Sequence, residues 1–276
     1  MSTSGSNPQW GSTYRRMASE KWKVKSGMMG RDATDALVDY AEAKRGMQIL
    51  DLASGTGEPA ITLATRIAPS GHVTATDLSP EMLEVVVERA TERGLKNISI
   101  HHTDANKLPF ADNSFDLVTS RFGVMFFREE AVRETRRVLK PGARGCFMAW
   151  GPFEQPFWSS MMGTIHKFAG GEVVPAAQDP NRYGKPGSLT EFLKKGGFEK
   201  VHEETKTVPW TWPGTAEEVW ELTQEVSMPF IPMIKRVPEE KWDEANRAVL
   251  AAVNRYKDGD QIKFGAVVVL ASATKA

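Results

Sequence analysis

The residues best equipped for chemistry are Asp51, Ser54, Gly55, Gly57 and Glu58 in ILDLASGTGEPAITLA, followed by Asp77 at the end of HVTATD and Asp104 in HHTDANKLPF. An apolar run that ends in a glycine turn and opens a helix aims backbone N–H groups and a positive helix end at a bound ligand. Gly55, Gly57 and Ala60 match the G-x-G-x-x-A spacing of dinucleotide sites, and Asp77 stands where an acid takes a ribose hydroxyl pair. By pattern alone, the turn suits either a dinucleotide or another adenosine-bearing cofactor.

Charge separates the two. A dinucleotide brings a pyrophosphate to this turn, and Asp51 and Glu58 would each repel it by roughly 1 to 4 kcal/mol. S-adenosylmethionine brings a sulfonium, an ammonium and one carboxylate, and beside that cationic end Asp51 is favourable. Asp104, ending the third apolar run, can hold the edge of an adenine. Asp77 has a structural alternative, capping the next helix, but Ser79 fills that role better. Asp104 has another, as a turn former before Ala105. Asp116 opens a strand and is read as organising loops.

These residues sit in an alternation of short apolar runs and amphipathic stretches from residue 47 to about residue 150. MQILDLA, HVTATD, ISIHHTD, SFDLVTSRF and GCFMAW read as strands. PAITLATRIA, PEMLEVVVERATERG and REEAVRETRRVLKPG read as helices, with apolar residues at three-and-four spacing. Ser79, Pro80 and Glu81 form a helix start and Gly94 a stop. Strands that are apolar throughout and alternate with helices are covered on both faces, which predicts a doubly wound, mostly parallel α/β sheet with ligands beyond the carboxyl ends of its strands.

After Trp150 the chain turns rich in Pro, Gly, Phe and Met. SLTEFLKKGG is predicted as a helix with a Ser188/Glu191 capping box, FEKVHEETKTVPW as a strand, and Thr215 with Glu218 as a second capping box. A further helix runs from Pro238 to about Tyr256, and IKFGAVVVLASATK closes as a strand. The expected organisation is an N-terminal helical lid over 1–46, an α/β core over 47–150, a helical cap over 151–260 that includes a core strand near 198–208, and a final core strand over 261–276. Phe153, Phe157, Trp158, Met161, Met162, Phe168, Trp210, Trp212, Trp220, Met228 and Phe230 crowd the cap. Singly they are core residues; together they suggest an apolar chamber for a small apolar or aromatic acceptor. Tyr14, Met17 and Trp22 share helical faces in the lid segment.

Composition narrows the partners. The 276 residues carry 35 basic and 35 acidic side chains and one cysteine, with 41% hydrophobic residues. Neutrality without a basic block removes the electrostatic footprint of nucleic-acid binders. Cys146 alone supports neither a disulfide framework nor a thiolate metal cluster, and no metal is expected. With no signal-like leader and no apolar run near 18 residues, a cytoplasmic protein without an integral membrane segment is expected. The sequence carries no signal for oligomeric state.

The motifs DLASGTG, ATDLSPEML, TDANKLPF with FDLVTSRFG, and RRVLKPGA, in that order and spacing, resemble class I S-adenosylmethionine-dependent methyltransferases of the ubiquinone/menaquinone C-methyltransferase-like kind. The resemblance covers residues 47 to about 150. It departs in two places: Ala53 replaces the first glycine of the usual D-x-G-x-G-x-G, and Ala143 replaces the last glycine of RRVLKPGG. It implies a seven-stranded Rossmann-like sheet whose last strand, Phe264 to Ala273, runs antiparallel to the rest. It also implies that Asp51, Ala53, Ser54, Gly55 and Gly57 surround the methionine end, that Asp77, Leu78 and Met82 take the ribose side, and that Asp104 and Ala105 take adenine. Ser120, Arg121 and Phe122 would line cofactor and acceptor mouth.

Methyl transfer from a sulfonium is an in-line displacement, so orientation and desolvation carry most of it. A base is needed only if the acceptor loses a proton; His166 and Tyr14 are then candidates, with Arg121 as an electrostatic partner. His72, His101, His102 and His202 lie in strands and are read as structural. The expected product is S-adenosylhomocysteine, and the acceptor a small molecule. Two rivals remain: a nicotinamide-dependent oxidoreductase, on the bare glycine spacing, and a methyltransferase-like interaction protein without turnover.

Overall fold

The computed structural model describes residues 20–21 and 23–276. Tyr14, Met17 and Trp22 lie outside the described residues. Among the described residues the helices before the sheet include α1 (Lys23–Met29) and α2 (Arg31–Ala41). Then β1 (Gln48–Leu52), α3 (Ala60–Ile67), β2 (His72–Asp77), α4 (Pro80–Glu92), β3 (Ile98–His102), β4 (Phe115–Arg121), α5 (Glu129–Val138) and β5 (Leu139–Trp150) follow in the predicted alternation. The later elements are α6 (Pro156–Ala169), α7 (Ser188–Lys195), β6 (Lys200–Trp212), α8 (Ala216–Val226), α9 (Ile231–Ile234), α10 (Trp242–Asn254), β7 (Lys257–Asp258) and β8 (Gln261–Thr274).

One sheet joins them in the order β3-β2-β1-β4-β5-β8-β6, with the two-residue β7 paired to β8. The strands β1 to β5 are parallel, and β8 alone runs against them, wedged between β5 and β6. This is the expected Rossmann-like arrangement, with one short strand added by a hairpin. Chain order reverses between β1 and β4, so the crevice at their carboxyl ends is the place where such sheets bind ligands. The strand interiors are apolar because both faces are covered: Ile49, Leu50, Leu52, Val73, Ala75 and Val118 are buried under helices whose inner faces carry Leu37, Ile61, Leu63, Leu83 and Val86.

Local chemistry sets the element ends. Ser79 accepts a hydrogen bond from the Met82 amide at 3.2 Å at the start of α4, and Thr215 and Glu218 complete a reciprocal capping box on α8. The Ser188/Glu191 box does not form. Gly187, in the left-handed region, stands at the helix start, and Ser188 Oγ donates to the Lys185 carbonyl. Glu203, reaching across from β6, accepts from the Gly187 amide at 2.6 Å and the Thr190 amide at 2.7 Å, so a distant carboxylate does the capping. Asp116 accepts from the Gln48 amide and Lys140 Nζ, the organising role expected of it. Cys146 is buried in β5, its thiol pushed up to about 12 by burial. No described helix is long and apolar enough to cross a membrane.

Candidate active site

The glycine turn takes its shape from hydrogen bonds that short side chains make to backbone. The Ser54 amide donates to the Thr76 carbonyl at 2.8 Å, Ser54 Oγ donates to the Asp51 carbonyl, and the Thr76 amide returns a bond to Ser54 Oγ at 3.1 Å. β1 and β2 are thereby locked together just before the turn. Gly55 (φ +53°) and Gly57 (φ +111°) occupy conformations that side-chained residues resist, and Ala53 (φ +55°) occupies one too. The two glycines differ in surroundings. A Cβ on Gly57 would meet Ile61 Cδ1 at 2.6 Å, whereas nothing lies within 4 Å of a Cβ on Gly55. Gly57 serves helix packing; Gly55 leaves open space on the cleft side.

Asp77 ends β2 with both oxygens engaged: Oδ2 accepts from the Gly55 amide at 2.8 Å and Oδ1 from the Ser79 amide at 3.0 Å. Each carboxylate oxygen has a further lone pair, so the residue can fix the turn and still accept two hydroxyls. Asp104 accepts from the Asn106 amide and side chain through Oδ1, the turn-forming role, and also lines the cleft.

Asp51 is fully buried at the carboxyl end of β1. Its Oδ1 accepts from Thr119 Oγ1 at 2.6 Å, and its Oδ2 has no partner. Burial raises its pKa to about 7, against the pull of the Thr119 and Ser54 hydroxyls and the Arg121 charge. Arg121 Nη1 donates to Thr34 Oγ1 at 2.7 Å and to the Gly30 carbonyl at 3.2 Å, tying the helices before the sheet to β4.

One cleft of about 1750 Å³ runs over the carboxyl ends of the strands. That exceeds the roughly 300–1,000 Å³ usual for one small ligand and leaves room for two. Of the residues predicted for the cofactor, Ala53, Ser54, Gly55, Asp77, Leu78, Met82, Asp104, Ala105, Arg121 and Phe122 line it. Asp51, Gly57 and Ser120 do not. Asp51 lies under the floor, Gly57 faces Ile61, and Ser120 is buried with its hydroxyl on the Leu52 carbonyl, so Ser120 is a strand-to-strand tie. His166 is not a cleft residue; its Nε2 pairs with the Gly171 carbonyl at 2.8 Å beyond the end of α6, which removes it as a base. The other four histidines hold Ser99, Leu78 and Tyr40 or pack on Phe110, as structural residues do.

The apolar chamber is differently made than expected. Phe157, Trp158, Met161, Met162, Trp212, Trp220 and Phe230 are buried core, and of the eleven aromatic and methionine residues only Trp210 reaches the cleft. The lining beyond β4 and β5 comes instead from Phe122, Phe126, Phe127, Tyr183, Phe192, Leu222 and Val226. Phe122, held at φ +57°, stacks on Trp150 at 4.3 Å and meets Trp210 edge-on at 6.2 Å.

Sequence reading also missed Arg89 and Arg93. Arg89 reaches from α4 to the Thr56 carbonyl at 2.9 Å, and Arg93 pairs with Glu58 at 3.3 Å. Both line the cleft beside the turn. With Glu58 paired and Asp51 near half-protonated at neutrality, the repulsion expected to exclude a pyrophosphate is much weaker than the charges of the acids alone suggest. A helix position four residues before another arginine was the available signal. The discrimination between cofactors therefore rests on the full order of motifs.

A sequence profile described as the ubiE/COQ5 methyltransferase family matches residues 26–167, more than half of the chain. A demethylmenaquinone methyltransferase of Listeria monocytogenes is 37% identical over 127 residues, 45% of this chain and 54% of the relative. A ubiquinone/menaquinone biosynthesis C-methyltransferase of Idiomarina loihiensis is 29% identical over 188 residues, 62% of this chain and 73% of the relative. The match thus spans about half of the first relative. In architecture the chain resembles the YcgJ protein of Bacillus subtilis, with TM-score 0.56 and 20% identity over 89% of this chain and 98% of the other. It also resembles phosphoethanolamine N-methyltransferase 2 of Haemonchus contortus, solved with S-adenosylmethionine, at TM-score 0.56 and 17% identity over 96% of this chain and 60% of the other.

Proposed function

The chain belongs to the ubiE/COQ5 methyltransferase family, and from that premise we propose that it transfers a methyl group from S-adenosylmethionine to a small acceptor with an apolar or aromatic body. The observation that carries this reading is the order of groups at one cleft: the glycine turn after β1 with Asp51 buried beneath it, Asp77 and Leu78 at the end of β2, and Asp104 and Ala105 after β3.

The residues fit that cofactor. Asp51 Oδ2 is a buried acceptor without a partner beneath the turn, suited to an ammonium, and the empty space over Gly55 admits a close approach to backbone N–H groups. Asp77 takes the ribose hydroxyls and Asp104 with the Ala105 amide the adenine edge, while Leu78, 60% exposed, offers an apolar surface beside them. S-adenosylmethionine, when bound, supplies an electrophilic methyl on a sulfonium. The chain's own contribution is to orient and to exclude water: Phe122, Trp210 and the α1 segment wall the space beyond the turn, and Arg121 holds that segment to β4. The segment over 1–46, of which α1 and α2 are described, is read as a lid, and the cytoplasm as the compartment.

The acceptor's character follows from the cleft and not from the relatives. The family match ends at residue 167, whereas Tyr183, Phe192, Trp210, Leu222 and Val226 come after it. Thermal unfolding of the protein alone, with S-adenosylhomocysteine and with NAD tests the cofactor. A ligand at a hundred times its Kd adds about 2.7 kcal/mol, a rise in Tm of roughly 5–10 °C. A rise with S-adenosylhomocysteine alone is expected; a rise with NAD alone would restore the oxidoreductase reading.

A further inference from the structure

The half of the cleft beyond β4 and β5 contains polar groups that the cofactor reading leaves unused. Tyr183 is 3% exposed, lines the cleft, and its hydroxyl has no hydrogen-bond partner. A buried hydroxyl without a partner forgoes a bond that water would give it, so its retention in the wall of the cleft points to a ligand atom. Burial pushes this hydroxyl up to about 12, so at neutral pH it is a donor.

Its surroundings are built. The Asn181 side chain donates to the Gly151 carbonyl at 2.7 Å, and a Cβ on Gly184 would meet Pro152 backbone at 2.8 Å, so the segment carrying Tyr183 is pressed against the end of β5. Arg182 lies over the Tyr183 ring, 5.4 Å from its centroid, with one long bond to the Met125 carbonyl at 3.4 Å. Arg128 and Lys195 line the same end, and the side chain of neither makes a hydrogen bond or ion pair among the described residues. Two carboxylates are also there. Glu129 is paired with Arg133 at 2.8 Å, which leaves Glu191 to set against three cations.

We infer that the acceptor carries a carboxylate, held at this end of the cleft by Arg182 and the Tyr183 hydroxyl within the positive field of Arg128 and Lys195. A guanidinium and a hydroxyl together match the two oxygens of one carboxylate. The apolar lining from Phe126, Phe127 and Phe192 then takes the acceptor's body. The inference rests on the methyltransferase reading, because it assigns the other half of the cleft to the cofactor.

The test uses the full chain saturated with S-adenosylhomocysteine and three pairs of probes: benzoate, 1-naphthoate and 4-phenylbutanoate, each against its own primary amide. Binding is read by calorimetry. The expected result is that at least one acid binds roughly tenfold or more tighter than its amide, the scale of a charge-assisted hydrogen bond, with the preference shrinking at high salt. Arg182→Gln, at an exposed position, should reduce that preference to under about threefold while S-adenosylhomocysteine binds as before. Tyr183→Phe, which keeps the ring against Phe192, should lower it by a smaller factor. Amides binding as well as acids, no acid binding at all, or a preference untouched by Arg182→Gln overturns the inference. Failure of S-adenosylhomocysteine itself to bind would instead bring down the methyltransferase reading.

Discussion

Where β1, β2 and β3 end, the cleft is walled largely by backbone and by short side chains already engaged in hydrogen bonds; where β4 and β5 end, it is walled by large side chains, three of which hold buried polar atoms without partners. In the first region Ser54, Asp77 and Asp104 each fix a turn before any ligand arrives. In the second, Tyr183 Oη, Trp210 Nε1 and Arg121 Nε are buried and unpartnered. A site that recognises one invariant molecule can be frozen by its own backbone. A site whose partner sets the specificity holds its donors in reserve, because each unmet donor penalises a ligand that cannot satisfy it.

The first region has its own unpartnered atoms, Asp51 Oδ2, Arg89 Nε and Asn106 Oδ1, and the largest effect tests Asp51. Folding raises its pKa from 3.8 to about 7, so as pH rises the unfolded chain releases this proton before the folded one does. The stability the residue contributes is therefore complete below about pH 4, is lost between about 4 and 7, and does not return above; three units correspond to about 4 kcal/mol. Asp51→Asn should remove this slope from urea titrations between about pH 4 and 7, and should abolish a rise in S-adenosylhomocysteine affinity as pH climbs through about 7. An unchanged slope would mean that Asp51 does not titrate in this range and is no pH-dependent acceptor in reserve.

Gly55→Val comes next. A branched side chain at φ +53° is strained and would fill the open space over the turn. Cofactor affinity should fall by about 100-fold, at a cost of about 2.7 kcal/mol or more, whereas a valine at a glycine remote from the cleft, such as Gly46, should lower stability alone. Calorimetry that finds normal affinity for the Gly55 variant would show that the cofactor does not approach this backbone. Asp77→Ala separates the two duties of one carboxylate. It should weaken S-adenosylhomocysteine by roughly 1–3 kcal/mol, the loss of charge-assisted bonds, and also lower Tm, because the Gly55 and Ser79 amides lose their acceptor. A lower Tm with unchanged affinity would make Asp77 a turn brace only.

The same contrast decides what could be read from the sequence. β2 spans His72–Asp77, the run HVTATD itself, and Ser79 and Thr215 cap as their spacing predicts, because these features depend on neighbours a few residues away. The cofactor half is legible for that reason: its lining follows each strand directly. Glu203 capping α7, Arg89 reaching Thr56 and Arg182 lying beside Met125 join residues that are distant in the chain and carry no period. The crowd of aromatic and methionine residues after Trp150 misled for the opposite reason. Composition locates apolar mass but does not say which side of a helix faces the cleft, and here nearly all of it became core.

Ala53 gives the smallest effect and the finest test of how the first region is built. Its φ of +55° places a side-chained residue where the family resemblance calls for glycine, and a Cβ on Gly123 would meet the Ala53 Cβ at 2.7 Å, so the turn is crowded as well as left-handed. Left-handed backbone costs a non-glycine residue roughly 1–2 kcal/mol, and glycine gives back roughly 0.5–1 kcal/mol of that in unfolded-state freedom. Ala53→Gly should therefore stabilise by up to about 1 kcal/mol, a Tm rise of roughly 2–4 °C, with the affinity for S-adenosylhomocysteine unchanged because the cofactor would be held by the turn's amides and not by this methyl group. If Tm rises while affinity falls, the strain at Ala53 is holding the turn in its binding shape, and the cofactor half would then depend on strain in the way that Phe122, at φ +57°, suggests for the acceptor half.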